Sequence, residues 1–352
     1  MGGHSSSANS AIPLENAQQG ADGPRHLRPE GNLFSTEGYL TTVADVYYSG
    51  LPRAIRIYRV EGCLFRLLEV RGRPIISPPF MDFVEPVLAD SSKGIRSLRY
   101  LPRAALAMTC AEGGWQPTRI EAVYASPLID WSLFDCWPAF ERMVKARIGN
   151  LLPDSRRKRR KAERDLGALR FVYDDPREEP FEACITWKSA QWRRTGSVDL
   201  FAAEPRHVQL FRELRRRGLL VVSTLSAGEK LLSVHIGAVA DNRLYWWVPA
   251  YDADLARYSP GRLLLQDLLA ESFARNHSRF EFLLGDEEYK WRYATHTLEV
   301  GPLGKPSLNL FLRYEARTLI RTVLERRPRV LGAARAVCRG TSKVRNALTG
   351  YR

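Results

Sequence analysis

Apolar and basic positions alternate strictly over residues 53–60 (R-A-I-R-I-Y-R-V), the pattern of a half-buried strand. Glu61 and Gly62 turn the chain into a second apolar run at 63–70. A further turn at 71–74 leads into Ile75 and Ile76, which continue the meander. Residues 118–125 alternate again, and Phe140, Met143, Val144 and Ile148 recur at helical spacing. This first part of the chain mixes sheet and helix and carries no chemical motif.

From residue 169 the pattern is clearer. A strand is expected at 169–173 and a helix at 180–193, ended by Thr195 and Gly196. A second helix follows at 205–217, with Leu210, Phe211 and Leu214 on one face and Gly218 as its stop. A three-strand meander (219–225, 231–240, 244–248) turns at Ala227-Gly228 and Asp241-Asn242. Leu264, Leu265, Leu268, Leu269 and Phe273 give a helix at 262–274 one apolar face. A strand at 279–284 and a helix at 286–293 come next. The order is β-α-α-β-β-β-α-β-α, and its strand–helix–strand crossover predicts a parallel pair.

Length and composition fit this picture. The chain has 352 residues, enough for about two domains. Its net charge of +14 is localised: residues 156–164 carry +6 and residues 313–352 carry +9, so the rest is nearly neutral. The run at 156–164 reads as a solvated helix face or as an anion-contacting face beside a cleft. In the last segment Arg313, Arg317 and Arg321 recur every four residues beside an apolar face. That suits a helix packed on the body, or a basic surface for peripheral contact with an anionic membrane or RNA. Five scattered cysteines without C-x-x-C spacing point to a reducing compartment and no structural metal site. Residues 1–31 are rich in Gly, Ser, Ala and Asn and are expected to be a disordered tail, not a signal peptide. No apolar stretch reaches membrane-spanning length, so a cytoplasmic protein is expected.

Three places could carry chemistry. At Tyr258-Ser259-Pro260-Gly261-Arg262, Ser259 is a candidate N-cap and Pro260 suits the first helical position. Gly261 admits close approach of a ligand, and Arg257 and Arg262 flank an expected pyrophosphate-binding helix N-terminus. In Gly285-Asp286-Glu287-Glu288-Tyr289-Lys290, Tyr289 is a candidate proton donor to a leaving group, and Asp286 and Lys290 are candidate substrate contacts. His235, in an apolar strand, is a candidate general base toward an amine. Trp247 and Tyr251 read as core and cleft wall. The chain lacks G-x-S-x-G, Walker A, G-x-G-x-x-G and H-E-x-x-H, which lowers hydrolase, NTPase, dinucleotide and zinc-protease readings.

Five segments taken in order carry a resemblance: Lys188-Ser189-Ala190-Gln191-Trp192; S-T-L-S-A-G-E-K leading to Ser233-Val234-His235; Trp247-Val248-Pro249-Ala250-Tyr251-Asp252; Tyr258-Ser259-Pro260-Gly261; and Gly285 to Lys290. Together they resemble the CelD/BioF2-like acetyltransferase family of the GNAT superfamily. The resemblance implies an α+β fold of two GNAT-like modules in tandem, mixed sheets flanked by helices, as in Fem aminoacyltransferases. Residues 32–155 would be a degenerate GNAT-like module, 156–312 the BioF2-like acetyltransferase domain and 313–352 a basic helical segment. It implies an acyl-CoA, such as acetyl-CoA, as donor and no metal. Lys188, Gln191, Trp247 and Tyr251 would line the substrate side. The expected activity is N-acyl transfer to an amine of an envelope sugar, exopolysaccharide precursor or small metabolite. The alternatives are a Fem-like transferase using aminoacyl-tRNA, with tRNA the lesser candidate partner, and a non-catalytic scaffold of polysaccharide synthesis.

Overall fold

The computed structural model describes residues 31–88, 94–110, 124–285 and 287–305. The expected tail, Asp286 and the basic segment 313–352 lie outside them.

The first hairpin pairs β1 (Arg53–Val60) with β2 (Cys63–Val70) in antiparallel register, from Arg53 opposite Val70 to Val60 opposite Cys63. Glu61 and Gly62 both have positive φ, as a two-residue hairpin turn requires. With β3 (Arg73–Pro74) and β4 (Arg96–Ser97) they form a four-stranded sheet of order β3-β2-β1-β4. Ile75 and Ile76 lie just past β3, so the meander stops two residues earlier than the sequence suggests. Helix α1 (Glu37–Tyr47) is capped by Thr36, whose hydroxyl accepts from Tyr39 N, and it buries Tyr39, Leu40 and Val43.

The main sheet has eight strands: β5 (Tyr100–Cys110), β6 (Tyr124–Asp130), β7 (Leu169–Val172), β8 (Val221–Ala227), β9 (Lys230–Ala240), β10 (Arg243–Tyr251), β11 (Arg279–Glu281) and β12 (His296–Gly304). Their order is β5-β12-β6-β11-β10-β9-β8-β7. Among the described residues its one parallel strand pair is β10 with β11, joined by α7 (Pro260–Ala274), the crossover expected from the sequence. Between the strands run α2 (Trp137–Arg147), α3 (Leu151–Leu166), α4 (Glu178–Arg194), α5 (Leu200–Ala203), α6 (Arg206–Arg216) and α8 (Glu288–Trp291). The fold is thus two mixed sheets flanked by helices. The boundary expected at 155/156 falls inside α3, and β5 and β6 join the same sheet as β7 to β11.

Each face of the main sheet buries a separate apolar cluster. Phe181 and Ile185 of α4 and Leu210, Phe211 and Leu214 of α6 pack on Val234, Ile236, Val248 and Ala250. On the other face, Leu265, Leu268 and Leu269 of α7 and Phe140 and Val144 of α2 pack on Leu244, Trp246 and Phe280. Each such side chain contributes roughly 1.5–3 kcal/mol by burial.

A buried charge cluster ties the first part of the chain to the sheet. Arg243, fully buried at the start of β10, donates to both oxygens of Glu85 at 2.8 and 2.9 Å and to the carbonyl of Gly31. Glu281 of β11 lies 3.5 Å from the same guanidinium.

Candidate active site at the split between β10 and β11

Strands β10 and β11 pair only over Arg243–Tyr245 and Arg279–Glu281. Beyond Tyr245 one extra residue enters β10: Tyr245 faces Ala238 of β9, but Val248 faces Ile236. This bulge turns β10 away from β11. The carboxyl ends of the two parallel strands therefore diverge, and past Tyr245 the edge of β10 toward β11 has no strand partner. In open α/β sheets such crevices receive ligands.

His235 and Tyr289 meet at the bulge through Trp246. The His235 ring stacks on Trp246 with centroids 4.4 Å apart and planes 12° apart. Trp246 Nε1 donates to the Tyr289 hydroxyl at 2.9 Å. Gly237 makes room for this stack, since a Cβ there would lie 2.2 Å from His235 Cε1. His235 is fully buried, with Nε2 3.2 Å from Trp247 N and the ring also against the Tyr245 backbone. Burial pushes its pKa down to about 3, so it is neutral at pH 7. Engaged by the Trp247 amide and stacked on Trp246, the His235 ring supports the bulge. Tyr289 is different. Burial raises its pKa, and because its oxygen accepts from Trp246, its own proton remains available to donate.

A second group collects at the carboxyl end of β11. Lys290 Nζ donates to the Leu284 carbonyl at 2.8 Å and pairs with Glu287 at 2.9 Å. Gly285 lies beneath this pair at φ +136, and a Cβ there would lie 2.1 Å from Glu287 Oε2 and 2.6 Å from Lys290 Nζ. The φ disfavours any side chain, and a Cβ would also push the ends of Glu287 and Lys290 aside. Lys188 of α4 feels the charges of Glu287 and Lys290, and burial lowers its pKa. Its ammonium reaches Gln191 Oε1 at 3.4 Å and lies 5.5 Å from the Trp192 ring centroid. Lys188 and Gln191, one turn apart on α4, thus come near Lys290, which is distant in sequence.

Asp82, which the sequence reading missed, joins them from the first part of the chain. Its Oδ2 accepts from Leu284 N at 3.0 Å. Burial raises its pKa, opposed by the charges of Lys290 and Arg103. No local pattern marks Asp82; only the tertiary fold brings it to β11.

The amino end of α7 differs in detail from expectation. Ser259 occupies the N-cap position but adopts φ +54, ψ +48, and its hydroxyl makes no cap bond. The reason is local: a 3-10 helix over Ala253–Tyr258 runs directly into α7, so Ser259 also closes that turn through its amide to Ala256 O. The Ser259 carbonyl accepts from Arg262 N and Leu263 N at 3.0 and 3.2 Å, leaving the Gly261 amide without a protein acceptor among the described residues. A Cβ on Gly261 would meet only Tyr251 Cδ1, at an ordinary 3.5 Å, so packing does not require this glycine. Arg262 is held by Asp154 of α3 at 2.5 Å, whereas Arg257 is exposed and bonds only the Tyr258 hydroxyl. Lys158 and Lys161 of α3 flank the same end, the first on the Arg257 carbonyl and the second over the Tyr258 ring. The basic run at 156–164 therefore lies beside the helix N-terminus. Tyr251 covers Gly261 there. Trp247 packs among Phe34, Tyr39 and Phe211 on the opposite face of the sheet.

Among the described residues no group of three or more His, Cys, Asp or Glu side chains could hold a metal ion, and no helix is long and apolar enough to cross a membrane.

Residues 152–291 match the family model of an acetyltransferase (GNAT) domain. No curated protein matches the chain. Among solved structures it is similar to FemX, at 9% identity and a TM-score of 0.48, covering 78% of this chain and 92% of that one. It is also similar to L-PGS from Bacillus licheniformis, at 11% identity and a TM-score of 0.44, covering 82% of this chain and 92% of that one. The chain thus carries a GNAT-type acyltransferase domain and is a transferase.

Proposed function

We propose that this GNAT domain transfers an acyl group from an acyl-CoA, acetyl-CoA in the first instance, to the amine of an envelope sugar, exopolysaccharide precursor or small metabolite, at the split between β10 and β11. The observation that carries this reading is the convergence of a proton donor, a buried carboxylate and two lysines on the carboxyl ends of the parallel pair.

The chemistry follows from those positions. The donor's pyrophosphate lies against the Gly261 amide and the cations Arg257, Lys158 and Lys161, with the α7 dipole adding to the attraction. Arg262 joins it when Asp154 releases it. The acceptor amine attacks the thioester carbonyl, an N–C bond forms and the C–S bond breaks. Tyr289 protonates the departing thiolate, and Asp82, through a water, takes the proton of the amine. Lys290 and Lys188 hold an anionic group of the acceptor. His235 keeps Trp246, and through it Tyr289, in place.

One feature favours the aminoacyl-tRNA reading instead. α3 presents Arg156, Arg157, Arg160 and Arg164 to solvent, an exposed cationic stripe beside the donor end. The test is thiol release from acetyl-CoA with glucosamine as acceptor, run beside total tRNA binding at low and high salt. Thiol release that depends on both substrates supports the acyl-CoA reading. Its absence together with salt-sensitive tRNA binding overturns it in favour of the aminoacyl-tRNA donor. Neither signal leaves the scaffold.

A further inference from the structure

At the opposite end of β11 from the transfer site lies a cavity of about 490 Å3, within the range of small-molecule pockets. Arg279 lines it. This arginine is only 8% exposed, yet its guanidinium makes no hydrogen bond or ion pair with any described residue. Its charge is felt by Glu281, two residues along β11, but Glu281 is ion-paired to Arg243 instead. Its nitrogens are open to the solvent of the cavity, so the guanidinium is free to make charge-assisted bonds there. A ligand anion would supply them.

A second donor faces the same cavity. Trp131 Nε1 donates to Ser272 Oγ at 3.0 Å, and the Ser272 hydroxyl lies 3.1 Å from His277 Nδ1. The Ser272 hydroxyl can donate its own proton to Nδ1, and in that tautomer the His277 ring proton lies on Nε2. His277, 7% exposed, lines the cavity as a neutral donor. The cavity also carries negative charge. Asp130 faces Arg279 across the β6–β11 pairing, and its Oδ1 takes both Ser132 donors while Oδ2 has no partner among the described residues. Asp135 is exposed at the rim and has no ion pair among the described residues. Trp131, Phe134 and Phe273 supply an aromatic wall.

From this juxtaposition of an unpartnered arginine, a histidine N–H, two carboxylates and an aromatic wall, we infer that the cavity binds a small zwitterion with an apolar side chain, of the α-amino acid type. The carboxylate lies between Arg279 and His277, the ammonium toward Asp130 and Asp135, and the side chain on Trp131 and Phe273. The site is separate from the transfer site and does not depend on the reading given for that site.

The test is isothermal titration of the full chain with L-phenylalanine, phenylacetate and phenethylamine as probes. L-Phenylalanine binds in the millimolar range or tighter, and each truncated probe binds at least about tenfold more weakly, since each loses a charged hydrogen-bonding group. Arg279→Gln weakens binding of phenylalanine about tenfold or more. Asp135→Asn, at an exposed position that keeps the fold, weakens phenylalanine and phenethylamine but not phenylacetate. Absence of phenylalanine binding to the wild type overturns the inference. So does equal binding of phenylacetate, or binding unchanged in both variants. Loss of phenylalanine binding in Lys290→Met but not in Arg279→Gln would place the ligand at the transfer site and equally overturn it.

Discussion

Replacing Arg243 with methionine tests the buried clamp between the first part of the chain and the main sheet. Methionine keeps most of the side-chain length and removes the charge. Two buried carboxylates then lose their nearest cation: Glu85, which loses two hydrogen bonds, and Glu281, whose oxygens have no hydrogen-bond partner among the described residues and whose close ion pair is with Arg243. Removing one partner of a buried pair costs about 3–5 kcal/mol, against a typical total stability of about 5–15 kcal/mol. The loss depends on pH. Burial already raises the pKa of Glu281, and Arg243 opposes that rise. Without Arg243 the folded-state value climbs further above the unfolded value of about 4.3. Between those two values the folded state binds more protons than the unfolded state, so stability falls as pH rises. The penalty is full above the folded pKa and relieved as pH drops toward the unfolded value. Each unit of separation is worth about 1.4 kcal/mol. Urea unfolding of the wild type and of Arg243→Met at pH 8 and pH 5.5 reads this directly. The variant is expected to be less stable by about 3–5 kcal/mol at pH 8, with a smaller deficit at pH 5.5. Adding Glu281→Gln restores part of the loss at pH 8. A deficit below about 1 kcal/mol at pH 8, or a pH slope equal to that of the wild type, refutes the reasoning.

Further outcomes follow from the site. Gly285→Ala forces a Cβ into the Lys290–Glu287 pair at φ +136, so it should cost about 1–3 kcal/mol in urea unfolding and lower transfer as well. Tyr289→Phe keeps the ring but removes the donated proton; kcat should fall by about a hundredfold or more while donor affinity is little changed, and an unchanged kcat excludes Tyr289 as the acid. Cys184 is buried, with its thiol pushed up to about 12, whereas Cys136 is exposed; in native protein at pH 8 iodoacetamide should label Cys136 and spare Cys184, as mass spectrometry of the digested protein would show.

Much of the main sheet was legible because its strands and helices carry strong local periodicity. The meander of β8, β9 and β10 and the apolar face of α7 at Leu264, Leu265, Leu268 and Leu269 follow directly from spacing. What escaped depended on distant partners. β5 and β12 are defined by pairing with each other across almost 200 residues of chain, and nothing local marks them. α1 carries a readable local signal, the N-cap Thr36 before Glu37. Ser259 was misjudged because capping rules treat one helix at a time, and here one residue serves two. In the site, Tyr289, Lys290 and Lys188 were visible as residue types in a recognisable order. Asp82 and Arg279 were not, since an acidic or basic residue acquires meaning only when burial removes its solvent.

The central claim is that the amino end of α7 receives the donor's pyrophosphate, and Gly261 tests it most directly. Packing leaves room at this glycine, so Gly261→Trp can obstruct the ligand with little effect on the core. Thermal unfolding of the wild type with acetyl-CoA at about 100 times its dissociation constant should show stabilisation of about 2.7 kcal/mol, a rise of a degree or two or more. Gly261→Trp should unfold near the wild-type temperature without ligand and show no rise with it. A rise of the same size in the variant, or none in the wild type, contradicts the account.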